Sequence, residues 1–101
     1  SQDYFDLWLD ICLENPKVEF WAYTKSVNYW VNRLNKIPPN LILTASRGGK
    51  FDNLIDEHGL KNVEIIKSKD EANGRPIDIC DDQARLPKVN FCLMDNFNSK
   101  N

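Results

Sequence analysis

The chain has 101 residues, of which 42% are hydrophobic and 28% charged, with a formal net charge of −2 at pH 7. This length and composition are typical of one globular domain over residues 1–101. The negative charge argues against a generally basic nucleic-acid binder. No apolar run approaches the roughly 18 residues that a membrane span requires.

The cysteines predict a cytoplasmic protein. Cys12, Cys80 and Cys92 show neither a C-x-x-C motif nor a disulfide framework, so reduced thiols are expected. The chain opens on Ser1 without the basic start and apolar stretch of a signal peptide. His58 is the only histidine, so we expect no metal site and assign no cofactor.

The first predicted element is a helix over residues 2–14. Four apolar side chains recur there at the i, i+3, i+4, i+7 spacing: Phe5, Trp8, Leu9 and Cys12. The helix ends before Pro16, because the residue before a proline avoids the α region. Residues 18–24 are rich in β-branched and aromatic side chains and almost continuously apolar, which predicts a strand covered on both faces.

Helical and strand patterns then alternate along the chain. We predict helices over 27–36 and 50–58, a helical turn over 69–73, strands over 40–45, 63–67 and 89–94, and a loose tail over 95–101. Strands separated by helices imply right-handed crossovers and a mostly parallel sheet. The predicted fold is α/β, either an open three-layer sandwich with three or four strands (α-β-α-β-α-β-β) or a fragment of a βα barrel.

Basic and hydroxyl side chains follow three of the predicted strands. Ligands of parallel α/β sheets bind at the carboxyl ends of the strands. This rule selects a set of candidate anion-binding residues: Lys25, Ser26, Ser46, Arg47, Gly48, Gly49, Lys50 and Lys67. Gly48 and Gly49 are candidates for a backbone nest, although the P-loop spacing is absent. The alternative is a tight turn with solvated cationic side chains.

Two further groups of titratable residues have structural explanations. Asp78, Asp81 and Asp82, with Asp70 and Glu71 upstream, offer carboxylates for Mg²⁺ or Ca²⁺, but without EF-hand spacing a solvated loop is favoured. His58 ends the third helix, where it suits the negative end of the helix dipole better than a catalytic role. No catalytic residue is assigned, and the sequence favours a protein without enzymatic activity.

Aromatic side chains are dense in the first third of the chain, and most are expected in the core. Tyr29 lies off the apolar stripe of its helix, so Tyr29 and Trp21 are the candidates for a partner-binding surface. A sheet this small is expected to leave one face partly uncovered. Self-association into a homodimer is therefore a further expectation.

Two segments resemble a known family. Residues 15–26 (NPKVEFWAYTKS) and 39–50 (PNLILTASRGGK) resemble phage-encoded, uncharacterised proteins of the gene product eighty-eight type, over about residues 4–50. The resemblance implies a phage origin, the host cytoplasm and an unknown activity, and it carries over Lys25 and Ser26 as site positions. Longer relatives carry cysteine clusters, which imply a metal or iron–sulfur site on a barrel-like fold. Cys80 and Cys92 do not reproduce those clusters.

Three functions remain open from the sequence. The first is an accessory protein that binds a host or phage protein without catalysis. The second is a nucleotide or nucleic-acid binding module at the strand ends. The third is a truncated metal- or radical-type enzyme domain that lacks its cysteine cluster.

Overall fold

A computed structural model of the chain describes residues 2–78 and 82–95. Within them lie helices α1 (Gln2–Glu14), α2 (Val27–Val31) and α3 (Asp52–His58), and strands β1 (Phe20–Thr24), β2 (Leu41–Ser46), β3 (Asn62–Ile66) and β4 (Phe91–Met94). Single 3₁₀ turns cover Leu34–Lys36, Lys69–Ala72 and Gln83–Arg85. The predicted elements are confirmed to within two residues, apart from the second helix. Of the predicted tail, residues 95–101, all but Asp95 lie outside the described residues.

The four strands form one parallel sheet in the order β1-β2-β3-β4. The register places Phe20 opposite Leu41, Ala45 opposite Asn62, and Val63 opposite Phe91. The predicted α/β class with a parallel sheet is therefore confirmed. Because the strand order does not reverse from β1 to β3, right-handed crossovers direct α2 and α3 to the same face of the sheet.

That face carries the main hydrophobic core. Side chains from all three helices pack there against β2, which contributes alternate residues because side chains of a strand point to opposite faces. The buried members of this core are Leu9, Cys12, Val27, Trp30, Leu41, Leu43, Ala45, Ile55 and Leu60. We call this side of the sheet the helix face.

The opposite face of the sheet is covered only in part. The 3₁₀ turn Gln83–Arg85 packs Ala84 against Val63 and Phe91. By contrast, Trp21 is 42% exposed and Ile65 is 60% exposed. The prediction that β1 is covered on both faces is wrong. An apolar sequence at an edge strand has the same composition as one at a buried strand, and only the strand order distinguishes them.

One side chain fixes the entry into the sheet. The Nδ2 amide of Asn40 donates hydrogen bonds to the carbonyl oxygens of Cys12 at 2.9 Å, Asn15 at 3.0 Å and Val18 at 2.9 Å. These carbonyls belong to the end of α1 and the segment before β1. Asn40 therefore holds α1 and β1 against the start of β2.

The second predicted helix, 27–36, breaks after Val31 and resumes as the 3₁₀ turn Leu34–Lys36. The Nη1 atom of Arg33 donates to the Tyr29 carbonyl at 3.0 Å. In a continuous α-helix this carbonyl accepts a hydrogen bond from the backbone amide of Arg33. The guanidinium of Arg33 also forms a bidentate pair with the carboxylate of Asp6 in α1. This tertiary ion pair joins residues 27 positions apart, so no local sequence pattern reveals it, and it favours the end of α2 after Val31.

Helix α3 ends as its sequence predicts. Gly59 follows His58 with φ 60° and ψ 41°, a left-handed conformation that favours glycine. The Leu60 amide donates to the Ile55 carbonyl at 3.0 Å, which is the long hydrogen bond of a Schellman motif. No helix in the described part of the chain is long and apolar enough to cross a membrane.

Candidate functional site

The Gly48-Gly49 turn lies directly after β2, and its amides already have an anionic partner. Gly48 has φ 99°. Its N–H lies 3.0 Å from Oδ2 of Asp52, and the Gly49 N–H lies 3.2 Å from Oδ1 of the same carboxylate. The predicted nest therefore binds a side chain of its own chain, and an external anion has to displace Asp52.

Arg47 is engaged in the same way. Its Nη2 atom lies 2.6 Å from a carboxylate oxygen of Asp56, and its Nε donates to Oδ1 of Asn62 at 2.9 Å. The hydrogen bond from Arg47 holds the pKa of Asp56 below its ordinary value, and the same bond raises the pKa of Arg47. The guanidinium thus ties β2 to α3 and β3.

Of the other basic candidates, Lys25 alone approaches the Gly48-Gly49 turn. Its Nζ donates to the Arg47 carbonyl at 3.0 Å and lies 3.5 Å from the point that a Cβ would occupy on Gly48. Lys50 is exposed and lies over the ring of Phe51, 5.6 Å from its centroid.

The remaining anion candidates lie around this edge without converging. Lys67 is exposed after β3 and donates its backbone amide to Glu71 at 2.9 Å. Ser26 precedes α2 and gives its backbone amide to Oγ1 of Thr24 at 2.9 Å. Ser46 is half-buried and ends β2. The structure brings together Lys25, Arg47 and the two glycines, and anion binding by the whole set stays a prediction.

The acidic candidates do not form a cluster among the described residues. Glu71 closes a capping box with Ser68, and hydrogen bonds from the Ser68 and Lys67 amides lower its pKa. Asp78 is only 7% exposed, and its Oδ2 atom has no hydrogen-bond partner. Asp81 and Cys80 lie outside the described residues. Within 2–78 and 82–95, no three His, Cys, Asp or Glu residues are grouped as metal ligands.

A buried lysine near Asp78 has no signal in the sequence. Lys61 is 7% exposed, donates to the carbonyls of Gln83 and Val89, and lies 4.6 Å from the ring centroid of Phe91. Burial lowers its pKa, and the charge of Asp78 opposes that shift. Because its ammonium donates to the carbonyls of Gln83 and Val89, Lys61 holds the segment 83–89 against the partly covered face of the sheet.

A group of exposed apolar side chains surrounds β1, which is an edge strand. Tyr4 is 60% exposed, Trp8 43%, and Trp21 and Tyr23 42% each. Tyr4 and Trp8 belong to α1 and flank the strand on the helix face, whereas Trp21 lies on the opposite face. We call these four residues, together with Ala22 between them, the β1 edge surface.

A cleft of about 200 Å³ opens within this surface between α1, β1 and α2. Trp8 and Leu9 line one wall, and Ala22 forms part of the floor. Ala22 is exposed although it lies on the helix face, beside Leu43 of β2. The cleft therefore continues the edge of β1 into an apolar groove.

The two predicted partner residues have different environments. Trp21 is exposed, with the guanidinium of Arg85 5.3 Å from its ring centroid. Tyr29 is half-buried, stacks edge-on against Phe5 at 6.3 Å, and lines the cleft. Tyr4 and Trp8 were not predicted as surface residues. The sequence of α1 did contain a sign of this exposure, because the helix is apolar around most of its circumference. A helix with one buried face needs an apolar stripe on that face only.

Comparisons with known proteins give a family and nothing finer. A family model described as Gene product 88 matches residues 1–97. Neither a curated protein nor a solved structure matches the chain.

Proposed function

Since the chain belongs to the Gene product 88 family, which its model matches over residues 1–97, we propose that it is an accessory protein of phage type. It acts in the host cytoplasm by binding another protein and has no catalytic role of its own. The observation that carries this proposal is the β1 edge surface, where two tryptophans are more than two-fifths exposed. Exposed aromatic patches of this kind mark protein interaction sites.

The surface fits a partner that supplies an extended segment. A strand at the edge of a sheet presents unpaired backbone donors and acceptors on its outer side. An incoming segment adds to such an edge through main-chain hydrogen bonds, and its side chains fill neighbouring pockets. The cleft beside Ala22 supplies an apolar pocket next to this edge.

The test is site-specific photo-crosslinking in host cells. A photoreactive phenylalanine replaces Trp21, and the matched control replaces Leu34, which is 45% exposed but lies outside the β1 edge surface. We expect one reproducible protein adduct at position 21 and none at position 34. Slower hydrogen exchange of the β1 amides in the purified complex then locates the contact. The same crosslinking pattern at both positions refutes the proposal.

Anion binding is the second candidate, and one observation favours it. Lys25 and the Gly48-Gly49 turn come from different strands and meet at the carboxyl edge of the sheet. Replacing Asp52 with asparagine removes the internal carboxylate that competes for the glycine amides. Binding of phosphate, nucleotides or single-stranded DNA that strengthens in Asp52→Asn and weakens with salt supports this candidate. No binding by either protein at low salt refutes it.

A further inference from the structure

The sequence of the edge strand β1 contains none of the residues that protect exposed edges. Its sequence, FWAYT, contains no charge, no proline and no glycine. Native sheets protect such edges with charged side chains, prolines, bulges or a covering segment. Beyond β1 the described residues contribute no further strand.

The backbone of β1 is oriented for pairing on its outer side. The Phe20 N–H donates to the Asn40 carbonyl at 2.8 Å, so this residue faces the β2 side. Backbone groups alternate in direction along a strand. The backbone N–H and C=O of Trp21 therefore point away from β2, whereas those of Ala22 point toward β2.

We propose that the occupant of this edge is a second copy of the chain, with the two β1 strands antiparallel about a two-fold axis through Ala22. The proposal rests on the proposed function, because it names the partner of the β1 edge surface. A two-fold axis perpendicular to the sheet requires antiparallel pairing and joins the two sheets into one of eight strands. The helix faces of both copies then lie on the same side.

Charge complementarity selects this register. With Ala22 on the axis, Glu19 lies opposite Lys25 of the second copy, and Trp21 lies opposite Tyr23 of the second copy. Each interface therefore gains two opposite-charge pairs and two aromatic cross-strand pairs, both of which stabilise sheets.

The neighbouring registers lack this complementarity. An axis through Trp21 places Lys17 opposite Lys25 of the second copy, which is repulsive. An axis through Tyr23 places Glu19 opposite Val27 of the second copy, so the carboxylate faces no cation.

The charged residues at the ends of β1 are available for this pairing. Glu19 forms an ion pair with Arg85 at 3.8 Å, and both side chains are more than half exposed, so that pair contributes little. Lys25 is exposed, and its pairing with Glu19 of the second copy replaces the hydrogen bond that its Nζ donates to the Arg47 carbonyl at 3.0 Å. On the helix face, Trp8 and the cleft beside Ala22 border the axis, so the second copy closes the open side of the groove.

The register is tested by a cysteine on the axis. In antiparallel pairing, Ala22 faces its own symmetry mate in a non-hydrogen-bonded pair, with Cα atoms about 4.5 Å apart, which a disulfide spans. In a Cys80→Ser background, Ala22→Cys should form a covalent dimer on mild oxidation. Thr24→Cys is the control, because its symmetry mate lies about four residues away along the strand. Equal crosslinking of both variants, or none of Ala22→Cys, overturns the register.

Charge exchange tests the same pairing without a disulfide. Glu19→Lys and Lys25→Glu each place like charges in both symmetric pairs, and we expect each to weaken the dimer about tenfold. The double exchange restores opposite charges and should recover most of that loss in analytical ultracentrifugation. Failure of the double variant to recover affinity overturns the register.

The outcomes separate this proposal from the proposed function. If the wild-type chain sediments as a monomer up to about 100 µM while position 21 still crosslinks to another protein in cells, the dimer is refuted and protein binding stands. A dimer whose affinity Trp21→Lys leaves unchanged also refutes the proposed interface. Crosslinking at position 21 to a second copy, together with the Ala22→Cys dimer, supports both.

Discussion

Removing the Asn40 amide should separate α1 from the sheet, since its Nδ2 atom bonds three carbonyls at 2.9–3.0 Å. Asn40→Ala removes the two hydrogens that serve those carbonyls. At about 0.5–1.5 kcal/mol for each net hydrogen bond, the free energy of unfolding should fall by about 1–3 kcal/mol. That is a large part of the roughly 5–15 kcal/mol that stabilises a typical domain.

Asn40→Asp is the sharper perturbation, because it keeps the size of the side chain and replaces the donor Nδ2 group with an acceptor oxygen. An ionised oxygen then faces three carbonyl oxygens, and we expect a loss of about 3 kcal/mol or more. The carbonyl oxygens raise the pKa of the new carboxyl in the folded chain, so this extra loss should shrink as pH falls from neutral toward about 4, where the protonated carboxyl regains a donor.

The assay is urea unfolding followed by tryptophan fluorescence. With a slope of about 1 kcal/mol/M for a chain of this size, the predicted losses lower the midpoint by about 1–3 M. Asn35→Ala and Asn35→Asp are matched controls, since Asn35 is exposed, and they should change stability by less than about 0.5 kcal/mol. Midpoints for the Asn40 variants that match these controls refute the role of the amide.

Three further variants test the backbone, the core and the charges. Gly48→Ala should lower the free energy of unfolding by about 1–2 kcal/mol, because the φ of Gly48 is 99°. Gly49→Ala should be nearly neutral, since its new Cβ would lie at an ordinary 3.9 Å from Lys25. Equal losses for the two variants in urea unfolding contradict this. Thr44 is fully buried with an unpartnered hydroxyl, so Thr44→Val should raise the free energy of unfolding by about 1 kcal/mol, and a lower melting temperature counts against it. The hydrogen bond from Arg47 holds the pKa of Asp56 below its ordinary value. The ionised Asp56 therefore stabilises the folded chain at neutral pH, and this stabilisation is lost as pH falls below about 4 and through the lowered pKa. Asp56→Asn should therefore reduce the difference between the urea midpoints at pH 7 and pH 3, and an unchanged difference contradicts the ion pair's role.

The candidate sites were predictable only in part. The carboxyl ends of β1 and β2 lie at the same edge of the sheet, which brings Lys25 to the Gly48-Gly49 turn, and anion binding there stays a prediction. The sequence did not reveal that Asp52 and Asp56 neutralise this turn and Arg47, because both carboxylates lie on α3 and their direction depends on how that helix packs.

The sequence by itself determined the elements of this protein. Periodicity, Pro16, and the glycine at the end of α3 act within a few residues, so α1, the four strands and the Schellman end follow from local physics. The same alternation of helix and strand predicted the parallel pairing of β1, β2 and β3, since parallel strands are usually joined through a helix.

Only the tertiary structure decided which apolar residues are covered. Trp8 matches the inward spacing of α1, and Trp21 lies in a strand as apolar as β2, yet both are exposed. Burial depends on strand order and on where each helix packs, and these are set by distant contacts such as Asp6 with Arg33 and Asn40 with the end of α1. No window of sequence contains both partners of such a contact, so the edge that we propose as the interface is visible only in the folded chain.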